Sequence, residues 1–121
     1  MATLTPSLTL TSTNATTDGL SFTVTDSLNV GEPAINVARA SIATTGQFNI
    51  LTTAGNAGIT YVYVKNIDST NIITLKADDA TAIIDLGPEE FAFFPVKGGV
   101  GLEATADTAA CVLEYGYWTK S

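Results

Sequence analysis

The chain has 121 residues, of which 45% are hydrophobic and 14% charged, and it carries a net charge of −7 with no histidine. This length fits one domain that buries its core without disulfides or metals. The missing histidine removes the commonest general base and metal ligand. The acidity disfavours nucleic acid, whose binding needs clustered lysine and arginine. We therefore predict a structural or binding protein, not an enzyme, with no cofactor and no metal.

The N-terminal segment from Leu4 to Thr13 alternates leucine with threonine and serine. Pro6 interrupts it and cannot donate a ladder hydrogen bond, which favours an edge strand or an extended arm. Thr13–Gly19 is a turn-rich link. We predict an N-terminal arm over residues 1–19.

The next segment opens the predicted β-sandwich domain, residues 20–121. Leu20, Phe22 and Val24 alternate with serine and threonine, which is typical of a strand with one buried face. Asn29–Pro33 is a predicted turn. A new run begins at Ile35, and the change of parity before Ile42 predicts a bulge or two short strands. Further signals in this half are a turn at Thr45–Gly46, a strand around Phe48 and Ile50, and a loop at Ala54–Gly58.

The second half has more regular alternation. Thr60–Asn66 places valines on one face and tyrosines on the other, so both faces carry apolar side chains. A short polar link joins it to Ile72–Ala77 and predicts a hairpin between the two. The remaining predicted strands are Ala82–Leu86, Phe91–Val96, a segment with Val100, Leu102 and Ala104, and Ala109–Trp118.

These segments give eight to ten short strands with turn signals every 8 to 12 residues, and no helical periodicity. The pattern predicts an all-β fold, a single-domain antiparallel β-sandwich, jelly-roll-like, with the N-terminal arm attached. No apolar stretch approaches the roughly 20 residues of a membrane span, and MATLTPSLTL lacks the features of a secretory signal. We expect no membrane partner.

The carboxylates are the remaining acid–base groups. Neighbouring pairs such as Glu89–Glu90 point in different directions on a strand or turn, which disfavours the paired carboxyls of a glycosidase. Loop carboxylates at Asp68, Asp78 and Asp79 raise calcium as an alternative, although their spacing matches no EF-hand. Cys111 lies in an apolar run and is interpreted as a small buried side chain.

Aromatic side chains on the predicted strands have two interpretations. Stacked aromatics on a β-sandwich can bind sugars, but on strands with few charges they more often form the core or a subunit contact. The second interpretation predicts subunit-interface residues: Tyr61, Tyr63, Phe94, Tyr117 and Trp118.

Two stretches carry a family resemblance. GITYVYVKNIDSTNIITL, from Gly58, and LGPEEFAFFPVKGGVGLEATADTAACVLEYGYW, ending at Trp118, combine paired valines, a glycine-proline turn before an aromatic strand and a closing tyrosine-tryptophan strand. In this the second half resembles the small decoration, or cement, proteins of tailed-bacteriophage capsids. Other phage virion proteins share such patterns.

The resemblance implies a virion protein on the outer capsid surface, a homotrimer that binds the major capsid protein and stabilises the head. It would have no active site. The N-terminal arm supplies the predicted capsid contacts, Leu4, Pro6, Leu8 and Leu10. Two alternatives remain: a carbohydrate- or receptor-binding module of a phage tail or fibre, using Trp118 and Tyr117, and a small hydrolase.

Overall fold

A computed structural model describes residues 2–31, 37–52 and 58–121, and the regular elements in these ranges are all β-strands. In chain order they are β1 (Ala2–Leu4), β2 (Ser7–Ser12), β3 (Leu20–Thr25), β4 (Leu28–Val30), β5 (Ala38–Ile42), β6 (Phe48–Leu51), β7 (Thr60–Asn66), β8 (Ile73–Ala77), β9 (Ala82–Leu86), β10 (Phe91–Val96), β11 (Leu102–Ala106) and β12 (Cys111–Thr119).

The strands divide into two compact units. The first unit is Met1–Glu32 with Ser121, and the second is Pro33–Lys120. The second unit contains two four-stranded antiparallel sheets: sheet I in the order β10-β7-β12-β5 and sheet II in the order β6-β11-β8-β9. The sheets pack against each other, which confirms the predicted all-β antiparallel sandwich.

The sandwich core lies between the two sheets. Val62 and Val64 of β7 and Leu113 of β12 are fully buried on the inward face of sheet I, and Leu75 and Leu102 face them from sheet II. Alternation with period two brings these apolar side chains to one side of each strand. An edge-to-face contact between Phe48 of sheet II and Tyr115 of sheet I, with ring centroids 5.6 Å apart, also joins the sheets.

Strand pairing in the sandwich is nested. The outermost pair is β5 with β12, followed inward along the chain by β6 with β11, β7 with β10, and β8 with β9. Two further pairs, β7 with β12 and β8 with β11, complete the sheets. Every pair is antiparallel.

The predicted hairpin between Thr60–Asn66 and Ile72–Ala77 is wrong, because β7 belongs to sheet I and β8 to sheet II. The link between them crosses from one sheet to the other. It is held by the buried side chain of Asn66, which donates to the Asn71 carbonyl oxygen over 2.8 Å, and by the Asp68 carboxylate, which accepts from the Asn71 N–H over 2.6 Å. Such side-chain bonds to the backbone stabilise a turn between sheets.

The first unit contains two separate strand pairs, β1 with β4 and β2 with β3. Within the predicted arm over residues 1–19, residues 2–4 and 7–12 form antiparallel pairs, and the segment from Leu4, predicted as an edge strand or an arm, is divided at Pro6, which cannot donate to a ladder. The Pro6 carbonyl oxygen accepts from the Asp26 N–H over 3.1 Å. Leu20–Thr25, predicted to open the sandwich, pairs within the first unit instead.

Several strand bounds agree with the sequence. Leu20–Thr25, Thr60–Asn66, Ala82–Leu86 and Phe91–Val96 are strands over the predicted residues. β4 was not predicted, because two of its three residues, Asn29 and Val30, lie where a turn was expected. The run predicted from Ile35 begins outside the described residues, as do residues 54–57 of the predicted loop.

Candidate interaction surfaces

The register of sheet I decides which aromatic side chains face outward. Directly paired residues share a face of a sheet, and Val62 points into the core. Its partners Phe94 and Tyr117 therefore point inward as well. The neighbouring Tyr61 pairs with Pro95 on one side and Trp118 on the other, and this row lies on the outward face.

We define the aromatic face as the outward-pointing apolar residues of β7, β10 and β12: Tyr61, Tyr63, Phe91, Phe93, Pro95 and Trp118. Its exposure is greatest on the edge strand β10, where Phe91 is 62% and Phe93 39% exposed. Tyr61 is 9% exposed, and its ring stacks on Phe93 with centroids 6.2 Å apart and planes 13° from parallel. The diagonal stack makes the two strands present one continuous aromatic surface.

A glycine makes room for the tryptophan on this face. A Cβ atom at Gly116 would lie 3.1 Å from Cη2 of Trp118 and 3.3 Å from Cγ2 of Val37. The indole ring therefore lies across the backbone at Gly116 and close to Val37. A larger residue at position 116 would displace the ring.

One charged network borders the aromatic face. The Tyr63 hydroxyl donates to Oε1 of Glu114 over 2.8 Å, and Nε of Arg39 donates to Oε2 over 3.1 Å. Burial, followed by the hydrogen bond to Glu114, raises the pKa of Tyr63 to about 12. The hydrogen bonds from Tyr63 and then Arg39 lower the pKa of Glu114. Lys65 lies on the same side of the sheet, where it pairs directly with Phe91 and Glu114.

The outward face of sheet II has the opposite character. Its outward residues on β8, β9 and β11 are mostly polar: Thr74, Lys76, Asp85, Glu103 and Thr105. The Thr74 hydroxyl donates to Asp85 over 2.8 Å. Ile83, 54% exposed, is an isolated apolar residue on this side. Polar residues suit an outward face to water, and they predominate on sheet II, whereas the outward face of sheet I carries exposed aromatic rings beside Lys65, Arg39 and Glu114.

The pair β2–β3 presents a second apolar surface. Leu8 pairs with Val24 and Leu10 with Phe22, so that their side chains share one face. These four are 45%, 56%, 42% and 42% exposed, respectively. We call them, with the half-buried Leu20, the hairpin face. The opposite face carries hydroxyls: Ser7 bonds to Thr25 over 3.2 Å and Thr9 to Thr23 over 2.9 Å.

The predicted contact residues are divided between these surfaces and the interior. Tyr61, Tyr63 and Trp118 lie together on the aromatic face, whereas Phe94 and Tyr117 pack against the core. Of the predicted capsid contacts, Leu8 and Leu10 lie on the hairpin face, and Leu4 and Pro6 are half-buried. Sequence reasoning missed Phe91 and Phe93 on the first surface and Phe22 and Val24 on the second.

The carboxylates considered for chemistry are engaged in turns. Asp68 accepts from the N–H groups of Asn71 and Thr70, which lowers its pKa, and Asp79 accepts from the Thr81 N–H, which lowers its pKa as well. Glu90 accepts from the Gly87 N–H. Within the described ranges no three side chains of the metal-ligating types come together.

Cys111 is buried in the core, and its thiol donates to the Ala109 carbonyl oxygen over 3.3 Å. Burial raises the pKa of this thiol. A raised pKa keeps the thiol protonated at neutral pH, when the nucleophilic form would be the thiolate. The thiol therefore acts as a core side chain, as the sequence predicted.

No known protein family, curated protein or solved structure matched this chain, so its function has to be inferred from the surfaces themselves. In the part of the chain that the structure describes, no helix is long and apolar enough to cross a membrane.

Proposed function

We propose that this chain is a non-enzymatic structural protein of a bacteriophage virion, a decoration protein that binds the outer capsid surface as a homotrimer and stabilises the head. The observation that carries the proposal is the aromatic face. It is a row of aromatic side chains, with Phe91 and Phe93 exposed, on one side of a sandwich whose other side is mostly polar. Continuous apolar surface exposed on a folded domain marks a site of contact with another protein.

The composition of the aromatic face favours recognition of a protein surface. Tyrosine, tryptophan and arginine are enriched at protein interfaces and supply most of the residues that dominate binding energy. Tyr63, Trp118 and Arg39 lie on or beside this face, next to the exposed rings of Phe91 and Phe93. We therefore assign the aromatic face to contact with the major capsid protein, although the sequence had suggested a contact between subunits.

The strand winding supports a virion protein in a weaker way. We infer that the sandwich is a jelly roll, because its nested pairs are those of one long hairpin wound into two four-stranded sheets. Jelly rolls are common in viral capsid and lectin domains. A fold alone does not assign a function, and the winding adds to the argument from the surface.

Trimerisation and net charge would allow a small contact surface on each copy to hold the protein on a capsid. Three linked copies that bind a repeating lattice gain about 10²- to 10⁴-fold in avidity over one copy. The net charge of −7 keeps the free protein soluble and disfavours binding to the packaged nucleic acid. Stabilisation follows because a ligand of the assembled lattice favours the assembled state.

Co-sedimentation with capsids tests the proposal. Empty capsids of the same virus, stripped of accessory proteins, should pellet the wild-type protein and melt at a higher temperature in its presence. Phe91→Thr with Phe93→Thr should abolish pelleting, because threonine keeps strand propensity but removes the exposed rings. Ile83→Thr is the matched control, since Ile83 is also exposed but lies on sheet II. Failure of the wild type to pellet, or unchanged pelleting of the double variant, would contradict the proposal.

A carbohydrate-binding module is the second candidate, and the outward position of Trp118 favours it. Tyr117, which was expected to bind a sugar together with Trp118, points inward. Tyr61 of β7 instead pairs with Trp118 on the outward face. Tyr61 has only 9% of its surface exposed and stacks on Phe93, which leaves little of its ring for a sugar. Glycan binding by the wild type that is lost in a folded Trp118→Ala variant would favour this candidate over the decoration protein.

A further inference from the structure

We infer that the hairpin face is a self-association surface, on which three copies of this chain pack their β2–β3 pairs together. The number of copies rests on the proposed function, which is a homotrimer. The position of the contact depends only on the residues of the hairpin. Its core residues are two direct cross-strand pairs, Leu8 with Val24 and Leu10 with Phe22.

One face of the hairpin needs to be buried against another surface, and the side chains of β2 and β3 show which face it is. An isolated two-stranded sheet is at best marginally stable in water, and in the described residues β2 and β3 pair only with each other. Hydroxyl groups that bond across the strands, from Thr9 to Thr23 for example, make one face suitable for water. The apolar face is the side that remains to be covered, because 42–56% of each of its four main side chains is exposed.

Charge favours a second copy of the same chain as the cover. The chain has 12 acidic and 5 basic residues, but the segments 7–12 and 20–25 contain none of either. Copies of an acidic protein repel each other where their charges meet, so an uncharged surface is the one on which they can approach. The purely aliphatic and aromatic composition also resembles an obligate homo-oligomer interface, which is more apolar than a contact between different proteins.

The composition of the edge strands also favours self-association of the hairpin. Edge strands of soluble proteins are usually protected from pairing by proline, charge or an irregular register. The sandwich follows this rule: β10 carries Pro95, β5 carries Arg39, and β6 and β9 pair through register shifts. β2 and β3 have no charge or proline, and their six pairs run without a shift. The two hairpin strands therefore carry none of the three features that protect the edges of the sandwich from association.

Three hairpins can bury one another's apolar faces in a closed arrangement. Around a three-fold axis each hairpin face would contact both neighbours, and cyclic symmetry leaves no face uncovered. Strands of six residues are about 20 Å long, so the buried prism would be short. This geometry predicts that apolar residues on the hairpin face stabilise the oligomer, whereas residues on the hydroxyl face do not.

Sedimentation of matched variants tests the inference. The wild type should sediment at three times the 12.5 kDa chain mass, and Phe22→Thr with Val24→Thr should sediment as a monomer. Thr11→Ala with Ser21→Ala changes the opposite face of the same strands and should remain trimeric. Fluorescence of Trp118, the single tryptophan, reports independently that the second unit is folded in each variant.

Cross-linking keeps the test decisive if the double variant loses its hairpin. A short bifunctional maleimide should link copies of Val24→Cys, whose side chain lies on the hairpin face, but not copies of Thr23→Cys on the opposite face. The native Cys111 is buried and gives little background. A monomeric or dimeric wild type, a trimeric Phe22→Thr/Val24→Thr variant, or equal linkage at both positions would overturn the inference. A trimer that ignores capsids would contradict the proposed function alone.

Discussion

Asn66 is a buried polar residue whose side chain organises the crossing between the two sheets. Its amide donates to the carbonyl oxygens of Asn71, Leu86 and Gly87 at 2.8 to 3.1 Å, and its oxygen accepts from the Asp68 N–H at 3.0 Å. A buried polar group is tolerated only when it is hydrogen-bonded. Asn66 is therefore as much a part of the core as the valines beside it.

Asn66→Ala should lower the free energy of unfolding by about 2–4 kcal/mol, because it leaves buried carbonyl groups without a donor. Urea denaturation of the two proteins measures the change. Asn49→Ala is the control, since Asn49 is exposed on β6, and its effect should stay within about 0.5 kcal/mol. Equal effects of the two substitutions would mean that the Asn66 bonds contribute little.

The ionisation of Tyr63, at the edge of the aromatic face, makes the stability of the protein depend on pH. Its pKa is raised from 10.0 to about 12, with burial as the largest cause and the bond to Glu114 as the second. The folded state thus favours the neutral phenol. Its contribution to stability is complete below pH 10, where the unfolded chain also keeps the phenol neutral, and is lost as pH rises through about 12.

Glu114→Gln should lower the pKa of Tyr63 but leave it above 10.0, because burial persists after the carboxylate charge is removed. Arg39→Gln should move it in the opposite direction, since the guanidinium lowers the pKa of Tyr63. Tyrosine Cζ chemical shifts followed from pH 8 upward, with Tyr63→Phe to assign the signal, measure both. An unchanged pKa in Glu114→Gln would show that the hydrogen bond does not affect the ionisation.

Phe93 and Phe94 are consecutive in β10 and lie on opposite sides of sheet I, so their substitutions should lower the free energy of unfolding by different amounts. Phe94→Thr should cost about 2–4 kcal/mol, because its ring packs against the core. Phe93→Thr should cost less than about 1 kcal/mol, since it removes an exposed ring and one aromatic stack. Chemical denaturation compares the two. The reverse order would mean that β10 pairs one residue out of register, which exchanges its faces.

Strands could be predicted from the sequence where alternation was strong. Thr60–Asn66 and Phe91–Val96 agree with the structure because a half-buried strand imposes period two on its own residues. Pairing partners could not be predicted in the same way. β7 and β8 are neighbours in the chain but lie in different sheets, and the choice depends on side-chain bonds of Asn66 and Asp68 across the link.

The candidate surfaces were predicted only in part, because strand pairing decides which faces are exposed. Tyr117 shares parity with the buried Cys111 and Leu113, so the signal for its inward position was present in the sequence. Phe22 and Val24 carried no such signal. Their alternation is that of any strand with a buried face, and only the pairing of β3 with β2 shows that this face is exposed.

At the scale of the molecule, the charged residues lie away from the hairpin face. Among the residues that the structure describes, acidic side chains lie in turns such as Asp68 and Asp79, on the polar face of sheet II, or in the network at Glu114, while the hairpin face is uncharged. Repulsion between copies should then come from long-range charge and attraction from the apolar contact. The two depend on salt differently, because exposed charges are screened and apolar contacts are not.

Added salt should therefore strengthen self-association. Between about 10 mM and 150 mM NaCl the Debye length falls from roughly 30 Å to roughly 8 Å, so repulsion between copies of charge −7 weakens and the dissociation constant of the oligomer should fall several-fold. Sedimentation equilibrium at both concentrations measures it, and Phe22→Thr with Val24→Thr should stay monomeric throughout. Dissociation on adding salt would instead indicate ion pairs between subunits. That result would be incompatible with a contact formed by the uncharged hairpin face, because such a contact has no charges for salt to screen.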